Sequence, residues 1–258
     1  MSVGTAAIAS SVTPCRSGDF IVCREGRICG ISYDGGYADH LVAPAEALAR
    51  IPDALGDAEA APLLCAGITT FNALRRSPAG AGDLVAVQGL GGLGHLAVQF
   101  ASRMGFRTVA LARGADKRAL ALELGATDYV DTAVENPRRG AASARRRRGR
   151  ARDRAERRGR HGGDRGSPSR RTAALGRRAC SSRFPISALS LIGSAPLHSG
   201  LAERHRQGLG GNARVRRGDG IRPRIETFPL ERVADGFERM QSGKARFRAV
   251  LTMVDGAG

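Results

Sequence analysis

Three glycines, Gly89, Gly91 and Gly94, follow the apolar run Leu84, Val85, Ala86 and Val87, and a helical pattern begins at once. Strand, tight glycine turn and helix is the order that can seat a diphosphate. Backbone N–H groups at a helix N-terminus face the anion, the helix dipole favours its charge, and missing side chains let it come close. The candidate contacts are Gly89, Leu90, Gly91, Gly92, Leu93 and Gly94, and a Cβ at Gly91 would hold the phosphates off. A purely structural glycine turn is the plainer alternative, but the strand before and the helix after are what a dinucleotide site requires. About 20 residues past the glycines, where an acid would hold the ribose hydroxyls of NAD, stand Ala112 and Arg113. Arg113, with Lys117 near it, suits a 2′-phosphate and so favours NADP over NAD. As a solvated loop residue, Arg113 would carry no such meaning.

The elements that must position this loop can be read on either side of it. Leu93, Leu96, Ala97, Phe100, Ala101 and Met104 recur at steps of three and four, which predicts one apolar helix face, and Gly105 stands where that helix would stop. A second strand, Arg107 to Ala112, a second helix and a third strand, Asp128 to Asp131, follow. Strands alternating with helices at this spacing predict an α/β fold with a doubly wound parallel sheet covered on both faces. Upstream, Leu41, Val42 and Ala43 read as strand, and Asp57 with Glu59 opens an apolar helical stretch through Leu63, Leu64, Cys65 and Phe71. Within it Cys65 reads as a buried thiol. Met1 to Val12 shows no structural pattern, whereas Ile225 to Phe228 reads as strand, Leu230, Val233, Phe237 and Met240 as a helix face, and Arg246 to Met253 as strand.

With 258 residues and 42% apolar content the chain can bury a core in one or two domains, yet its net charge is +17. The excess is local. Arg138 to Arg183 holds 18 arginines against three acids, Asp153, Glu156 and Asp164, a net +15. Such a run could neutralise phosphates, which makes a basic nucleic-acid-binding protein one reading. The block contains no Phe, Tyr or Trp on which bases could stack, and nucleic acid is not an expected partner. Five scattered cysteines do not make a disulfide framework in a chain of this length, and metal or redox use is expected instead. Neither a basic leader nor a membrane-length apolar run is present, so the reading is a cytoplasmic protein with no membrane association.

Four stretches in order, CRSGDFIVC, GISYDGGYADHLVAPAEALARIPD, APLLCAGITTFNALR and VQGLGGLGHLAVQFA, together resemble the zinc-dependent alcohol dehydrogenases of the medium-chain dehydrogenase/reductase superfamily. The stretch from Gly220 to Met253 is similar to that family's C-terminal end. The resemblance implies a Rossmann cofactor domain at 61–221, the remnant of a GroES-like β-rich catalytic domain at 1–60, and a return to that domain at 222–258. It implies hydride transfer between an alcohol or aldehyde and NADP or NAD, with zinc polarising the oxygen. By the same resemblance Cys65 is a catalytic zinc ligand, and Cys15 and Cys23 are two of four structural zinc ligands. His95 is assigned no catalytic part. A homo-oligomer is compatible with the family, although the residues do not specify it.

The departures are as specific as the matches. The family's first quarter, with the Cys and Gly-His-Glu ligands of the catalytic zinc, has no counterpart before Met1, so the chain reads as truncated and its turnover as impaired. The arginine block reads as family sequence in a shifted frame, because CGN arginine codons moved by one base encode Gly, Ala, Val and Asp. The same shift permits family-like strings from Ser143 to Glu156 and from Ala195 to Asp219, and a two-base shift from Gly4 to Val12 permits the missing half of the structural zinc motif. Arg138 to Arg183 and 195–219 are therefore expected to be irregular, leaving an incomplete Rossmann sheet. A cofactor-binding module without catalysis is the further alternative.

Overall fold

The computed structural model describes residues 2–3, 27–45, 48–75, 77–136, 140, 172–176 and 220–253. Cys15, Cys23, the stretches read as shifted in frame and most of 138–183 lie outside them. In chain order the elements are β1 (Ser2–Val3), β2 (Leu48–Ala49), α1 (Asp57–Ala60), α2 (Ala66–Arg75), β3 (Leu84–Gln88), α3 (Gly94–Arg103), β4 (Arg107–Ala112), α4 (Arg118–Glu123), β5 (Asp128–Asp131), β6 (Thr172–Gly176), β7 (Ile225–Pro229), α5 (Val233–Gln241) and β8 (Arg248–Thr252). Two compact units divide them: 77–90 with 97–177, and 1–76 with 91–96 and 178–258. The division differs from the expected boundaries at 60 and 221.

The first unit holds a four-stranded sheet in the order β5-β4-β3-β6, parallel throughout. β3 reads LVAV with no alternation, and all four residues are buried, the pattern of a parallel strand covered on both faces. Leu84, Ala86, Val109, Leu111 and Val130 form a core cluster across β3, β4 and β5. The strand order reverses at β3: β4 and β5 lie to one side, and β6 comes back to the other. Outside the carboxyl ends of the strands at such a switch point is where open α/β sheets bind their ligands.

Part of the arginine block departs from expectation. Thr172–Gly176 is strand, with Leu84 opposite Thr172 and Gln88 opposite Gly176. These five residues, TAALG, carry no charge, and the exposed edge of β3 supplies the backbone partners that the arginines around them could not make worthwhile.

α3 forms where the periodicity places it, with Leu96, Ala97, Phe100 and Ala101 buried. Leu93 is half exposed, because the helix begins one residue after it, while His95 and Val98 are buried in addition.

In the second unit Ser2–Val3 pairs antiparallel with Leu48–Ala49, so the start of the chain contains a short strand where no pattern was read. Leu41, Val42 and Ala43, read as strand, are irregular. Apolar content favours a strand only where a neighbour offers hydrogen bonds. β7 and β8 pair in parallel over five residues each. α5 rests on them through Gly236, where a Cβ would stand 3.3–3.4 Å from the Phe228 ring and Leu251. That close approach runs the contact line through Gly236, so Phe237 and Met240 of the expected apolar face are exposed.

Candidate cofactor site

β3 ends at Gln88, and the chain reverses at Gly89 with φ +87°, the left-handed region open to glycine. The Gly89 N–H donates to the carbonyl of Leu111 on β4 at 2.7 Å, which ties the turn to the neighbouring strand. Leu90 is buried. At Gly91, among the described residues, no atom beyond the adjoining chain lies within 4 Å of the place a Cβ would take. The loop is therefore open where close approach by a phosphate is needed.

At Gly92 a Cβ would meet Arg248 Cδ at 2.9 Å and Nη1 at 3.0 Å. The Arg248 side chain thus lies along the glycine loop and brings a fixed positive charge to it. Sequence reasoning missed this residue, since in the string ARFRAVLT nothing separates Arg248 from Arg246. Among the loop residues Leu93 is exposed, and Gly94 opens α3.

His95, on the first turn of α3, is fully buried. Its Nδ1 lies 2.9 Å from the Gly91 carbonyl, and its Nε2 accepts the Arg224 backbone N–H at 3.2 Å. The ring stacks on Phe247 at 4.8 Å between centroids, 26° from parallel. Burial lowers its pKa to about 4 against the opposing bond to Gly91, and the charges of Arg248 and Arg224 lower it further. The imidazole is neutral at physiological pH.

The second cluster lies at the carboxyl end of β4. Arg113 is exposed, and its neighbours on the chain are held from several sides. Asp131 Oδ1 accepts the N–H groups of Gly114 at 2.8 Å and Ala133 at 2.9 Å. The Tyr129 hydroxyl lies on the carbonyls of Gly114 and, at 3.2 Å, Ala112. Lys117 stands beside Arg113 as expected, with its Nζ donating to the Arg113 carbonyl at 2.8 Å. The ammonium thus braces the loop from which the guanidinium projects. Gly114 itself has φ +93°, and a Cβ there would strike the Asp131-facing turn's own Asp116 carboxylate. Asp131 and Tyr129 were not singled out from the sequence, because only the register of β5 against β4 brings them to this turn.

The hydrogen bonds from Ala133 and Gly114 hold the Asp131 carboxyl below its ordinary 3.8. A carboxyl depressed in the folded state contributes stability that is complete above its unfolded value and lost as pH falls through its folded one. Asp131→Asn is therefore expected to lower the thermal midpoint at pH 7, with the gap to the natural chain narrowing below about pH 4. Thermal melts of both proteins across acid pH check this; a gap independent of pH would contradict it.

Cys65 is exposed rather than buried. It ends the 3-10 turn Ala61–Leu64, whose Pro62 and Leu63 point inward, and its own φ of −121° turns the chain before α2 begins. Among the described residues no group of three His, Cys, Asp or Glu side chains could hold a metal ion. Among the described residues Cys65 by itself does not complete a zinc site. Nor, among the described residues, is any helix long and apolar enough to cross a membrane.

A parallel sheet that reverses its strand order at an open glycine loop, with a helix starting from that loop, defines a Rossmann-type dinucleotide-binding protein. The family model for zinc-binding dehydrogenases matches residues 92–146. The chain is 36% identical over 256 residues to the alcohol dehydrogenase patD of Penicillium expansum, covering 93% of this chain and 70% of that protein. It is 34% identical over 250 residues to an alcohol dehydrogenase of Geobacillus stearothermophilus, with the same shares covered. The crystal structure of the alcohol dehydrogenase from Aeropyrum pernix matches the fold with a TM-score of 0.69 at 23% identity, over 96% of this chain and 74% of that one. The chain belongs to the zinc-type alcohol dehydrogenases of the medium-chain dehydrogenase/reductase superfamily, a family of NAD(P)-dependent oxidoreductases.

Proposed function

We propose that this chain binds NADP in preference to NAD, and that its reaction is hydride transfer between a small alcohol or aldehyde and that cofactor. The observation that carries the reading is the unfilled space at Gly91, on a loop leaving β3 at the switch point of the sheet. Backbone N–H groups at the start of α3 and the Arg248 guanidinium would take the diphosphate. Arg113 would take the 2′-phosphate, with Lys117, Tyr129 and Asp131 keeping its backbone in place. When bound, the nicotinamide supplies the hydride acceptor or donor. Cys65 would serve as a catalytic zinc ligand, and Cys15 and Cys23 as structural zinc ligands, as the family resemblance implies.

A second reading, a cofactor-binding module without turnover, draws on Cys65 standing without two further ligands among the described residues. One experiment separates the two. The purified chain is titrated with NADPH and NADH by nicotinamide fluorescence, then assayed for reduction of simple aldehydes with zinc supplied. Binding with turnover supports the dehydrogenase, and binding without turnover supports the module. No binding of either nucleotide would overturn both.

A further inference from the structure

His95 is a polar side chain with no exposure to water, on the first helical turn after the glycine loop. Burying an imidazole is costly unless its nitrogens are bonded, and here both have backbone partners. The partners fix the tautomer. The Arg224 N–H can only donate, so Nε2 must be the acceptor, and the proton sits on Nδ1, where it is donated to the Gly91 carbonyl. That carbonyl also accepts the backbone N–H of His95 at 3.0 Å, so one residue grips one oxygen twice. Phe247, stacked on the ring, precedes Arg248, whose side chain runs along Gly92.

The consequence follows from peptide planarity. The Gly91 carbonyl and the Gly92 N–H belong to one rigid trans unit and point in opposite directions. A carbonyl held by His95 therefore turns the Gly92 N–H away from the helix. A glycine pair is otherwise the freest pair of residues in a chain and would have to be ordered at each binding event.

We propose that His95 is a positioning residue for the cofactor diphosphate: through Nδ1–H it locks the Gly91–Gly92 peptide, and through Nε2 and Phe247 it ties that peptide to the segment carrying Arg248. The proposal rests on the dinucleotide-binding reading given above. It assigns His95 no contact with the reacting atoms.

The test uses the full chain and two probes, ADP-ribose, which carries the diphosphate, and adenosine, which does not. Calorimetry measures the first and ligand-observed NMR the second, alongside thermal melts. His95→Ala is expected to weaken ADP-ribose by about tenfold, with adenosine unchanged within roughly twofold. His95→Asn places an amide N–H near the position of Nδ1 but forfeits the Arg224 bond and the ring stacking. It is expected to recover most of the ADP-ribose affinity while melting as early as the alanine variant. A merely structural histidine would make affinity follow the melting temperature in both variants, and that outcome overturns the proposal. Equal losses for the two probes overturn it as well. If the natural chain binds adenosine and ADP-ribose equally, or binds neither, the dinucleotide reading itself falls and His95 has nothing to position. Where His95→Ala does not fold, His95→Asn against the natural chain decides alone: a tenfold loss of ADP-ribose affinity in it contradicts the assignment to Nδ1.

Discussion

Replacing Gly91 by valine is expected to weaken NADPH and NADH binding at least about a hundredfold, or roughly 3 kcal/mol, with little change in thermal stability. Both halves of this expectation come from the same geometry. Among the described residues nothing beyond the adjoining chain lies within 4 Å of the Cβ position at Gly91, so the β-carbon of the new side chain meets none of their atoms. Gly91 is also not among the glycines with positive φ, so a substitution there incurs no left-handed strain. What a valine would occupy is the space in front of the loop. A diphosphate kept from the backbone by a branched side chain loses its hydrogen bonds and much of the favourable field of the helix terminus. Fluorescence titration with NADPH, paired with a thermal melt, measures both quantities. Gly91→Ala should fall between, since a single methyl group displaces the phosphates less. If the valine variant bound NADPH within about threefold of the natural chain, the diphosphate would not lie at Gly91, and the cofactor assignment would fail.

Arg113→Ala is expected to lower NADPH affinity by about thirtyfold and to leave NADH affinity nearly unchanged. A hydrogen bond to a charged group contributes about 1.5–3 kcal/mol, and the guanidinium offers paired donors to one phosphate. Arg113 is exposed, so the difference should shrink as salt is raised and the charges are screened. The comparison of the two nucleotides removes any general effect on folding, because NADH differs only in lacking the 2′-phosphate. Parallel losses for both would make Arg113 a structural residue. No loss for either would make it a solvated one.

How far the chain could be read without coordinates depended on how local each feature is. The strand, glycine turn and helix from Leu84 to Arg103 were legible because every part is decided within a few residues: an uninterrupted apolar run, glycines at the turn and a three-to-four periodicity after it. Cys65 was misjudged because Ala61–Leu64 winds as a 3-10 turn. Its three residues per turn advance the chain faster than an α-helix does, and the next residue leaves the apolar face that a 3.6 period assigns to it. Leu41 to Ala43 is irregular, with no strand paired to it among the described residues, while Thr172–Gly176 found a partner in β3.

The residues that surround the candidate site divide along the same line. Gly89, Gly91, Gly94 and Arg113 announce themselves, since their types are unusual for their places in a strand-turn-helix unit. His95, Arg248, Tyr129 and Asp131 do not. What sets them apart is the partners brought near by folding: Gly91 and Arg224 for the histidine, Gly92 for the arginine, Ala112 and Gly114 for the tyrosine, and Gly114 with Ala133 for the aspartate.

By itself, then, the amino-acid sequence determined the family, the α/β class and the glycine turn between β3 and α3, because each rests on short-range pattern and backbone freedom. Tertiary structure alone decided which side chains flank that loop, which thiol is exposed and which backbone groups are held still. Those depend on strand register and packing between residues as far apart as His95 and Arg224, 129 positions, and farther still for Gly92 and Arg248, distances over which local propensity carries no information.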